Sequence, residues 1–383
     1  MRFPEFTDEW EHRKLSEFTE RVTRKNKGQT NLPLTISAQY GLVDQISFFN
    51  NKVASADMSN YYLLKKGEFT YNKSYSTDYP LGAIKRLDRY EMGALSTLYI
   101  CFKINGDIES DFLVHYFESP KWHRGVYEIA GEGARNHGLL NIAVGDFFET
   151  QHFRPKSIRE QEKIAHFLTL IQHRIEVQSG LIEDLQKLKA ALVERLFCNK
   201  QSWKQYKYRD LLSPISERNS ENQFSNVLSA SQELGMVNRT DLDIDIKFER
   251  SAVTTYKIVR DGDYVLHLRS FQGGLAFSSM TGICSPAYTI LRPVKELEYG
   301  FFQEYFMSKS FINSLRLVTY GIRDGRSINV DEFLDMPVEI PDSATQCRII
   351  SILSIMNRRL RLGIKQKENY IKQKQYLLQQ MFI

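Results

Sequence analysis

The chain has 383 residues, of which 42% are hydrophobic and 25% charged, and its formal net charge is +5. This length and apolar content suffice for two or three domains with buried cores. No apolar run approaches the roughly 18 residues of a membrane helix, and the opening MRFPEFTDEWEHRK lacks the apolar core of a signal peptide, so we predict a cytoplasmic protein without membrane contact.

The four cysteines stand far apart and form no CxxC pair. Neither a disulfide framework nor a zinc site is indicated. We interpret Cys101, Cys198, Cys284 and Cys347 as small, reduced packing residues.

Residues 1–155 are predicted to form a first globular module of the α+β class. Apolar and β-branched runs such as TLYICFKI (97–104) alternate with turns rich in Gly, Ser, Asn and Asp, which favours strands. The stretch DFLVHYFESPKW (111–122) has helical spacing. A module of this length is an ordinary domain size.

Residues 156–202 predict one long helix. Two columns with a period of seven run through it, and eight of their ten positions are apolar. The columns are Ile164, Ile171, Gln178, Leu185 and Leu192, and Leu168, Ile175, Ile182, Lys189 and Leu196. Such a seam, sustained over four heptads, indicates a helix that packs lengthwise against another helix. Ser157 with Glu160 is a possible capping box at its start.

Residues 203–342 are predicted to form a second module that repeats the first. The matched stretches are Trp10, Lys14 and Leu15 with Trp203, Lys207 and Leu211; ISAQYGLV (36–43) with LSASQELGMV (228–237); LLKKGEF (63–69) with IVRDGDY (258–264); EGARNHGLLNI (132–142) with YGIRDGRSINV (320–330); and DFFETQHFRP (146–155) with EFLDMPVEIP (332–341). Between the starts of the matched stretches the offset drifts between 186 and 195 residues, which places insertions in loops.

Residues 343–383 predict a second long helix with the same seam. Adding 185 to each seam position of the first helix gives a column of Ile349, Met356, Gly363, Tyr370 and Leu377, and another of Leu353, Leu360, Lys367, Lys374 and Met381. Ser343 with Gln346 is again a possible capping box. The chain is therefore predicted to be a tandem duplication, each half a globular module followed by a long helix.

Catalytic motifs are absent from the sequence. It has no GxxxxGK[ST] loop, HExxH, GxSxG, Pro-Pro tetrapeptide of an amino-methyltransferase, or acidic pair followed by ExK as in nucleases. The eight histidines show no metal-binding spacing. We predict a binding protein without catalytic, metal or cofactor sites.

Charge is distributed unevenly along the chain. Residues 1–155 carry a net −1, 156–202 a net +2, 203–342 a net −3 and 343–383 a net +7. Contact with DNA phosphates would therefore depend on local basic clusters in the modules. The +7 segment could face DNA or an acidic partner, and Lys367 and Lys374 in the seam favour the partner.

Local motifs together with this layout resemble one known family. They are WEHRKLSEF (10–18), LKKGEFTYNKSYS (64–76), GAIKRL (82–87), RPKSIREQEKIAHFL (154–168) and HLRSFQGGLAFSS (267–279). With the order module, helix, module, helix, they resemble the specificity (S) subunits of type I restriction-modification enzymes over essentially the whole chain.

That resemblance implies a non-catalytic DNA-binding subunit. Each module would be a target-recognition domain that reads one half of a bipartite, asymmetric site in double-stranded DNA. The two helices would pair as an antiparallel coiled coil in a pseudo-two-fold, near-circular layout. Two methyltransferase (M) subunits and the restriction/translocase (R) subunits would be the partners, and would hold S-adenosylmethionine, ATP and Mg.

Candidate DNA contacts are basic and amide side chains on turn-rich loops near these motifs, because Arg, Asn and Gln match the edges of G and A in the major groove. They are Lys73, Lys85, Arg86, Arg135, Asn136, Arg269, Gln272, Arg323 and Arg326. Each could instead serve a structural salt bridge or turn.

An alternative function is a coiled-coil scaffold or adaptor that does not bind DNA. It would explain the heptads but has no need of two similar modules with different loops. Sequence-selective gel shifts in the presence of a methyltransferase subunit would discriminate between the two.

Overall fold

A computed structural model describes residues 1–37, 40–51, 54–55, 57–74, 76, 79–130, 140–198, 202–231, 234–242, 250–294, 296–321 and 327–382. By its internal contacts the chain divides into two units. The first comprises Met1–Ser179 with Lys365–Ile383, and the second comprises Gly180–Ile364.

The first globular module contains ten strands and five short helices among its described residues. They are β1 (Glu11–Lys14), α1 (Leu15–Phe18), β2 (Thr19–Arg21), β3 (Leu34–Ser37), β4 (Gly41–Asp44), α2 (Gln45–Phe49), β5 (Tyr62–Lys65), β6 (Phe69–Asn72), β7 (Ala83–Arg86), β8 (Met92–Leu95), β9 (Ile100–Ile104), α3 (Ser110–Glu118), α4 (His123–Ile129), α5 (Val144–Glu149) and β10 (Gln151–Arg154). The mixture of short helices and antiparallel strands agrees with the predicted α+β class.

Two long helices follow the two modules, as predicted. The first, α6, spans Ile158–Cys198. The elements of the second module are β11 (Lys204–Lys207), α7 (Tyr208–Leu211), β12 (Leu212–Ile215), β13 (Leu228–Ser231), β14 (Gly235–Asn238), β15 (Lys257–Val259), β16 (Tyr264–Leu266), α8 (Ser270–Gly273), β17 (Ala276–Phe277), β18 (Gly282–Cys284), β19 (Thr289–Pro293), α9 (Lys309–Ser314), β20 (Thr319–Tyr320), β21 (Ser327–Ile328), α10 (Val330–Asp335) and β22 (Pro337–Ile340). The second long helix, α11, spans Ser343–Gln380.

Strand order is the same in both modules. The main sheet has the order β2-β9-β6-β7 in the first and β12-β19-β16-β17 in the second, and both are antiparallel. The ribbons β3–β4 and β5–β8 correspond to β13–β14 and β15–β18. The sequence repeat therefore corresponds to a repeat of topology.

Each module is closed by a ribbon that joins its first strand to its last. Glu11 pairs with Arg154 across β1–β10, and Lys204 pairs with Ile340 across β11–β22. The residues that follow these first strands anchor the two cores, because Leu15 and Leu211 are fully buried. Closure brings the two ends of a module together at the base of its long helix.

The predicted seam is the buried face of both long helices. All twenty seam positions are buried or half-buried; off the seam, Leu188 and Ile355 are exposed, whereas Val193 and Phe197 are buried in the second module's core. In the first unit Ile164 and Ile171 of α6 share a core with Leu377 and Met381 of α11. In the second unit Ile182 and Leu185 form a cluster with Leu360. In each unit, seam residues of both long helices thus share a buried apolar cluster, and the burial of apolar surface is the main driving force for packing.

The starts of the long helices differ from the predicted capping boxes. Asp342, not Ser343, caps α11 by accepting a hydrogen bond of 2.8 Å from the Thr345 N–H. The Glu160 carboxylate accepts bonds from Arg2 and Trp10. Because these partners are distant in sequence, the local spacing could not indicate them.

A pair of buried glutamines ties each long helix to its module. Gln161 accepts from the Glu109 N–H at 2.8 Å and donates to the Pro155 carbonyl. Gln346, 185 positions later, accepts from the Glu298 N–H at 2.9 Å and donates to the Pro341 carbonyl. Burial of such amides without partners would be costly, so these bonds hold the first helical turn in place.

The cysteine interpretation holds for two of the four residues. Cys101 and Cys284 are buried in the modules, and burial raises the pKa of each thiol to about 12. Cys198 and Cys347 are exposed on the long helices and do not pack in a core, contrary to the prediction.

Candidate nucleic-acid interface

Two predicted contact residues of the second module, Arg269 and Gln272, lie together at α8. The Ser270 hydroxyl is fully buried and accepts a hydrogen bond of 2.8 Å from the His267 N–H, which fixes the turn into the helix. At the other end Gly274 has φ of +75°, and an added Cβ would lie 1.7 Å from the Phe306 carbonyl oxygen. This anchoring leaves both candidate side chains exposed.

Neither side chain is engaged elsewhere in the described part of the chain. No hydrogen bond or ion pair joins the Arg269 guanidinium or the Gln272 amide to another described residue. The short helix contacts β21, the strand that directly follows residues 322–326. We call this surface, residues 267–274 with 319–321 and 327–328, the second loop cluster.

Lys73 occupies the corresponding place in the first module. It follows β6, the counterpart of β16, and its carbonyl accepts a bond of 2.8 Å from the Leu140 N–H. Its ammonium donates to the Ile142 carbonyl at 3.3 Å. The loop after β6 is thus tied to the residues that follow segment 131–139, and these residues form the first loop cluster, 73–74 with 140–142.

Four predicted contact residues fall outside the described residues. Arg135 and Asn136 belong to segment 131–139, and Arg323 and Arg326 belong to segment 322–326. The structure describes the residues beside both segments. Residues 140–142 belong to the first loop cluster, and residues 319–321 and 327–328 belong to the second. The described residues that follow the two segments therefore both contact the loop after the third strand of their main sheet.

Lys85 and Arg86 lie apart from the first loop cluster, on β7 against α3. The Arg86 guanidinium pairs with Asp88 at 2.6 Å and Asp111 at 2.7 Å and donates to the Ser110 hydroxyl. The Lys85 ammonium lies 3.5 Å from a carboxylate oxygen of Glu118. Both side chains are at most 17% exposed, so they hold a helix to the sheet. Their role in DNA contact stays a prediction.

Glu118 is the centre of a largely buried polar cluster. It pairs with Lys374 of α11 at 2.8 Å and lies 3.4 Å from the His115 ring. Burial alone would raise the pKa of this carboxyl. The His115 hydrogen bond and the charges of Lys374 and Lys85 outweigh burial and hold the pKa well below its usual value.

The second unit contains the counterpart of this cluster. Glu304, 186 positions after Glu118, pairs at 2.6 Å with Lys189, which is 185 positions before Lys374. Asn357 donates to the same carboxylate at 2.6 Å. Lys374, one of the two seam lysines expected to favour a partner protein, therefore joins its long helix to the first module, and Lys189 joins the other long helix to the second module. Sequence reasoning missed both glutamates, although their offset matches the repeat.

Replacement of Glu118 by Gln should destabilise the first unit. Loss of one partner leaves two cations in a mostly buried site, and we expect a decrease of about 3 kcal/mol in the free energy of unfolding near pH 7. The pKa of Glu118 is lower in the folded than in the unfolded state, so its contribution is present above the unfolded value of 4.5 and is lost as pH falls. Urea titrations across this range should show the difference closing at low pH.

Glu128→Gln is the matched control, because its ion pair with Arg124 is exposed on both sides. This change should shift stability by less than about 0.5 kcal/mol. Equal effects of the two substitutions would show that the Glu118 cluster carries no special stability.

Comparison with known proteins finds a likeness in structure alone. No family model and no curated protein matches this sequence. The S subunit of the type I restriction-modification system from M. genitalium is similar with a TM-score of 0.56 at 13% identity, covering 100% of this chain and 99% of that one. This chain has the fold of a type I restriction-modification S subunit.

Two further structures are similar over the same extent. A chain from a type I restriction-modification system, studied for complex assembly and conformational transition, gives a TM-score of 0.59 at 13% identity with 98% of each chain covered. The HsdS subunit from Thermoanaerobacter tengcongensis gives 0.48 at 14% identity, covering 97% of this chain and 96% of that one. The S-subunit fold rests on the M. genitalium structure with its score of 0.56.

Among the described residues, no helix combines the length and the apolar character of a membrane span. No group of three or more His, Cys, Asp or Glu side chains among them could hold a metal ion.

Proposed function

We propose that this chain is the DNA-specificity subunit of a type I restriction-modification complex and reads a bipartite site with one module per half. The observation that carries this proposal is the repeat within an S-subunit fold. Both modules have the same strand order, and each has a loop cluster beside the third strand of its main sheet. The sequences of these loops differ between the two modules. A chain that reads two unlike half-sites needs two scaffolds of one kind with different reading surfaces.

The two long helices pair antiparallel in this proposal and set the distance between half-sites. Three contacts support the pairing: the shared core of the first unit, the shared cluster of the second, and a hydrogen bond of 2.7 Å from Lys374 to Gln172. Linking two weak readers raises the effective concentration of the second contact once the first has formed. A rigid spacer adds selectivity for the gap between them.

DNA contact is assigned to the two loop clusters. In the second cluster, Arg269 and Gln272 are exposed and have the forked donors that pair with guanine and adenine edges. Arg323 and Arg326 would add charge to the same cluster, and Arg135 and Asn136 would act beside Lys73. Local positive charge suffices for DNA binding, because phosphate contacts are needed only where the DNA backbone passes the protein.

Catalysis in this proposal belongs to partner subunits. Two methyltransferase subunits would dock on this chain and supply S-adenosylmethionine chemistry, and restriction subunits would use ATP and Mg. The chain would position the methyltransferases on the site without a catalytic residue of its own.

The experiment that tests this function is methylome sequencing of cells that express the chain with its methyltransferase. We expect methylation at one asymmetric sequence with two specified halves and an unspecified gap. Gel shifts with the assembled complex test binding directly. A coiled-coil adaptor would give no sequence-selective gel shift, so the absence of such a shift would favour the scaffold alternative.

Arg269→Ala should weaken binding to the cognate site by about 1–3 kcal/mol if the residue reads a base, and should relax one position of the second half-site. Binding is measured by gel shift at several salt concentrations. Uniform weakening on every sequence with a reduced salt slope would make Arg269 a phosphate contact. Arg260→Ala is the control, because this exposed arginine of the same module pairs with Glu217 and lies at the end of β16 opposite to the cluster; this variant should bind as the wild type does.

A further inference from the structure

The first six residues of the chain occupy a defined seat on the first unit. Arg2 pairs with Glu160 at 2.6 Å, and the Phe3 ring packs edge-on against Phe167 with centroids 6.0 Å apart. The Lys163 ammonium lies 4.6 Å above the Phe3 ring and pairs with the Glu5 carboxylate. The segment is thus anchored by the Phe3 ring, with the ion pair of Arg2 on one side and the ion pair of Glu5 on the other.

The matching surface of the second unit is an open groove of about 380 Å³. Its walls include Leu196, Ile352 and Trp203, and Arg195 and Arg348 also line it. Arg348 and Ile352 lie 185 positions after Lys163 and Phe167, and Trp203 matches Trp10. The groove is therefore the second copy of the seat, and we call it the second-unit groove.

No described segment of the chain occupies this groove as residues 2–6 occupy the first seat. In the first unit residues 1–9 precede Trp10, whereas only residues 199–202 separate Trp203 from the end of α6 at Cys198. The Trp10 indole donates to Glu160 at 3.1 Å. Thr345 stands at the position of that carboxylate, and the Trp203 indole makes no hydrogen bond to a described residue.

The second-unit groove has more positive charge than the first seat, and this difference favours an acidic occupant. Glu160, the partner of Arg2, is replaced by Thr345, while the cation at Lys163 is kept as Arg348 and a second cation is added at Arg195. Among described residues neither guanidinium has a hydrogen bond or an ion pair, and the nearby Asp342 carboxylate caps α11. An occupant with a basic residue would be repelled, and one with carboxylates would be attracted.

We propose that the second-unit groove binds a segment of a partner protein that carries an aromatic side chain followed within about two residues by Asp or Glu. The aromatic ring would take the place of Phe3, against Ile352 and Leu196, and the carboxylate would pair with Arg348. A second copy of this chain does not fit, because its own first residues are engaged in the first seat and Arg2 would meet two arginines. The proposal does not depend on DNA reading.

The test is calorimetric titration of the full chain with the peptide acetyl-Ala-Phe-Pro-Glu-Phe-amide, which copies residues 2–6 without the arginine. We expect one site with Kd below about 1 mM. Ile352→Asp and Arg348→Glu should each weaken binding at least tenfold. Ile355→Asp and Arg358→Glu, exposed changes of the same kind on the same helix, should leave it unchanged.

Peptide variants and an N-terminal deletion complete the test. Replacement of the first Phe by Ala should abolish binding, and replacement of Glu by Gln should weaken it and reduce its salt dependence. A chain that lacks residues 2–6 should bind the same peptide at two sites, because the first seat is vacated. Absence of binding to the full chain, or binding that survives both groove variants, would overturn the proposal. A dimer in sedimentation that disappears with the deletion would assign the groove to a second copy instead.

Discussion

Exchange of residues 203–340 for the matching module of a related chain should change one half of the methylated sequence and leave the other half as it was. The ends of this segment are paired with each other, since Lys204 lies opposite Ile340 across β11–β22. A graft at these positions therefore carries a closed ribbon and the whole second main sheet.

The graft must keep the contacts that join the module to the helices. Val193, Phe197 and Ile349 of the long helices belong to the second module's core, and Glu304 pairs with Lys189. A donor with a glutamate at the Glu304 position and apolar residues facing the helices should fold. Each mismatched base pair costs about 1–3 kcal/mol, so a new half-site that differs at two positions should reduce methylation of the original site at least about 30-fold.

Methylome sequencing measures this result, with the reciprocal exchange of residues 11–154 as the control. The reciprocal graft should change only the other half. A change in both halves after either exchange, or an unsplit site, would contradict one reader per module.

Removal of one heptad from each long helix should abolish methylation at the original gap. We choose residues 173–179 and 367–373, which face each other if Gln172 lies opposite Lys374 as their hydrogen bond indicates. The deletions shorten each helix by about 10 Å and keep the seam in phase on both sides. They spare the Lys374–Glu118 pair and the cluster of Ile182 with Leu360.

The gap between half-sites should then shrink by about three base pairs at 3.4 Å per step. Three base pairs are also roughly 100° of DNA twist at about 10.5 base pairs per turn, so overall activity should fall even at the new gap. The measurement is methylation of a plasmid library in which the gap varies in length. A control that keeps both lengths, with exposed His173 and Arg174 replaced by alanine, should retain the original gap. A deletion variant that folds, is active and still methylates sites with the original gap would show that the helices do not set the distance between half-sites.

The seam and the duplication could be predicted from the sequence because both are periodic. A helix that buries one face along its length repeats an apolar position every 3.5 residues, so the seam could be located before any partner was known. All twenty predicted positions are buried or half-buried, including the weak ones at Gln178 and Gly363. The α+β class followed in the same way from local alternation of strand and helix patterns.

The candidate site was predictable only in part, because exposure and ion pairing depend on distant residues. Lys85 and Arg269 look alike in sequence, each a cation near a turn. The structure places Lys85 against Glu118, whereas Arg269 stays exposed beside Gln272. Nothing local separates these two environments.

What the sequence by itself determined is therefore the periodic part of the protein: two similar α+β modules, two long helices, and the face that each helix buries. Only the tertiary structure decided which polar groups meet. Glu118 and Lys374 are 256 positions apart, and Arg2 and Glu160 are 158 apart, so no spacing rule links them. A buried charge is stable only where an opposite charge is brought to it, and that meeting is a property of the folded chain.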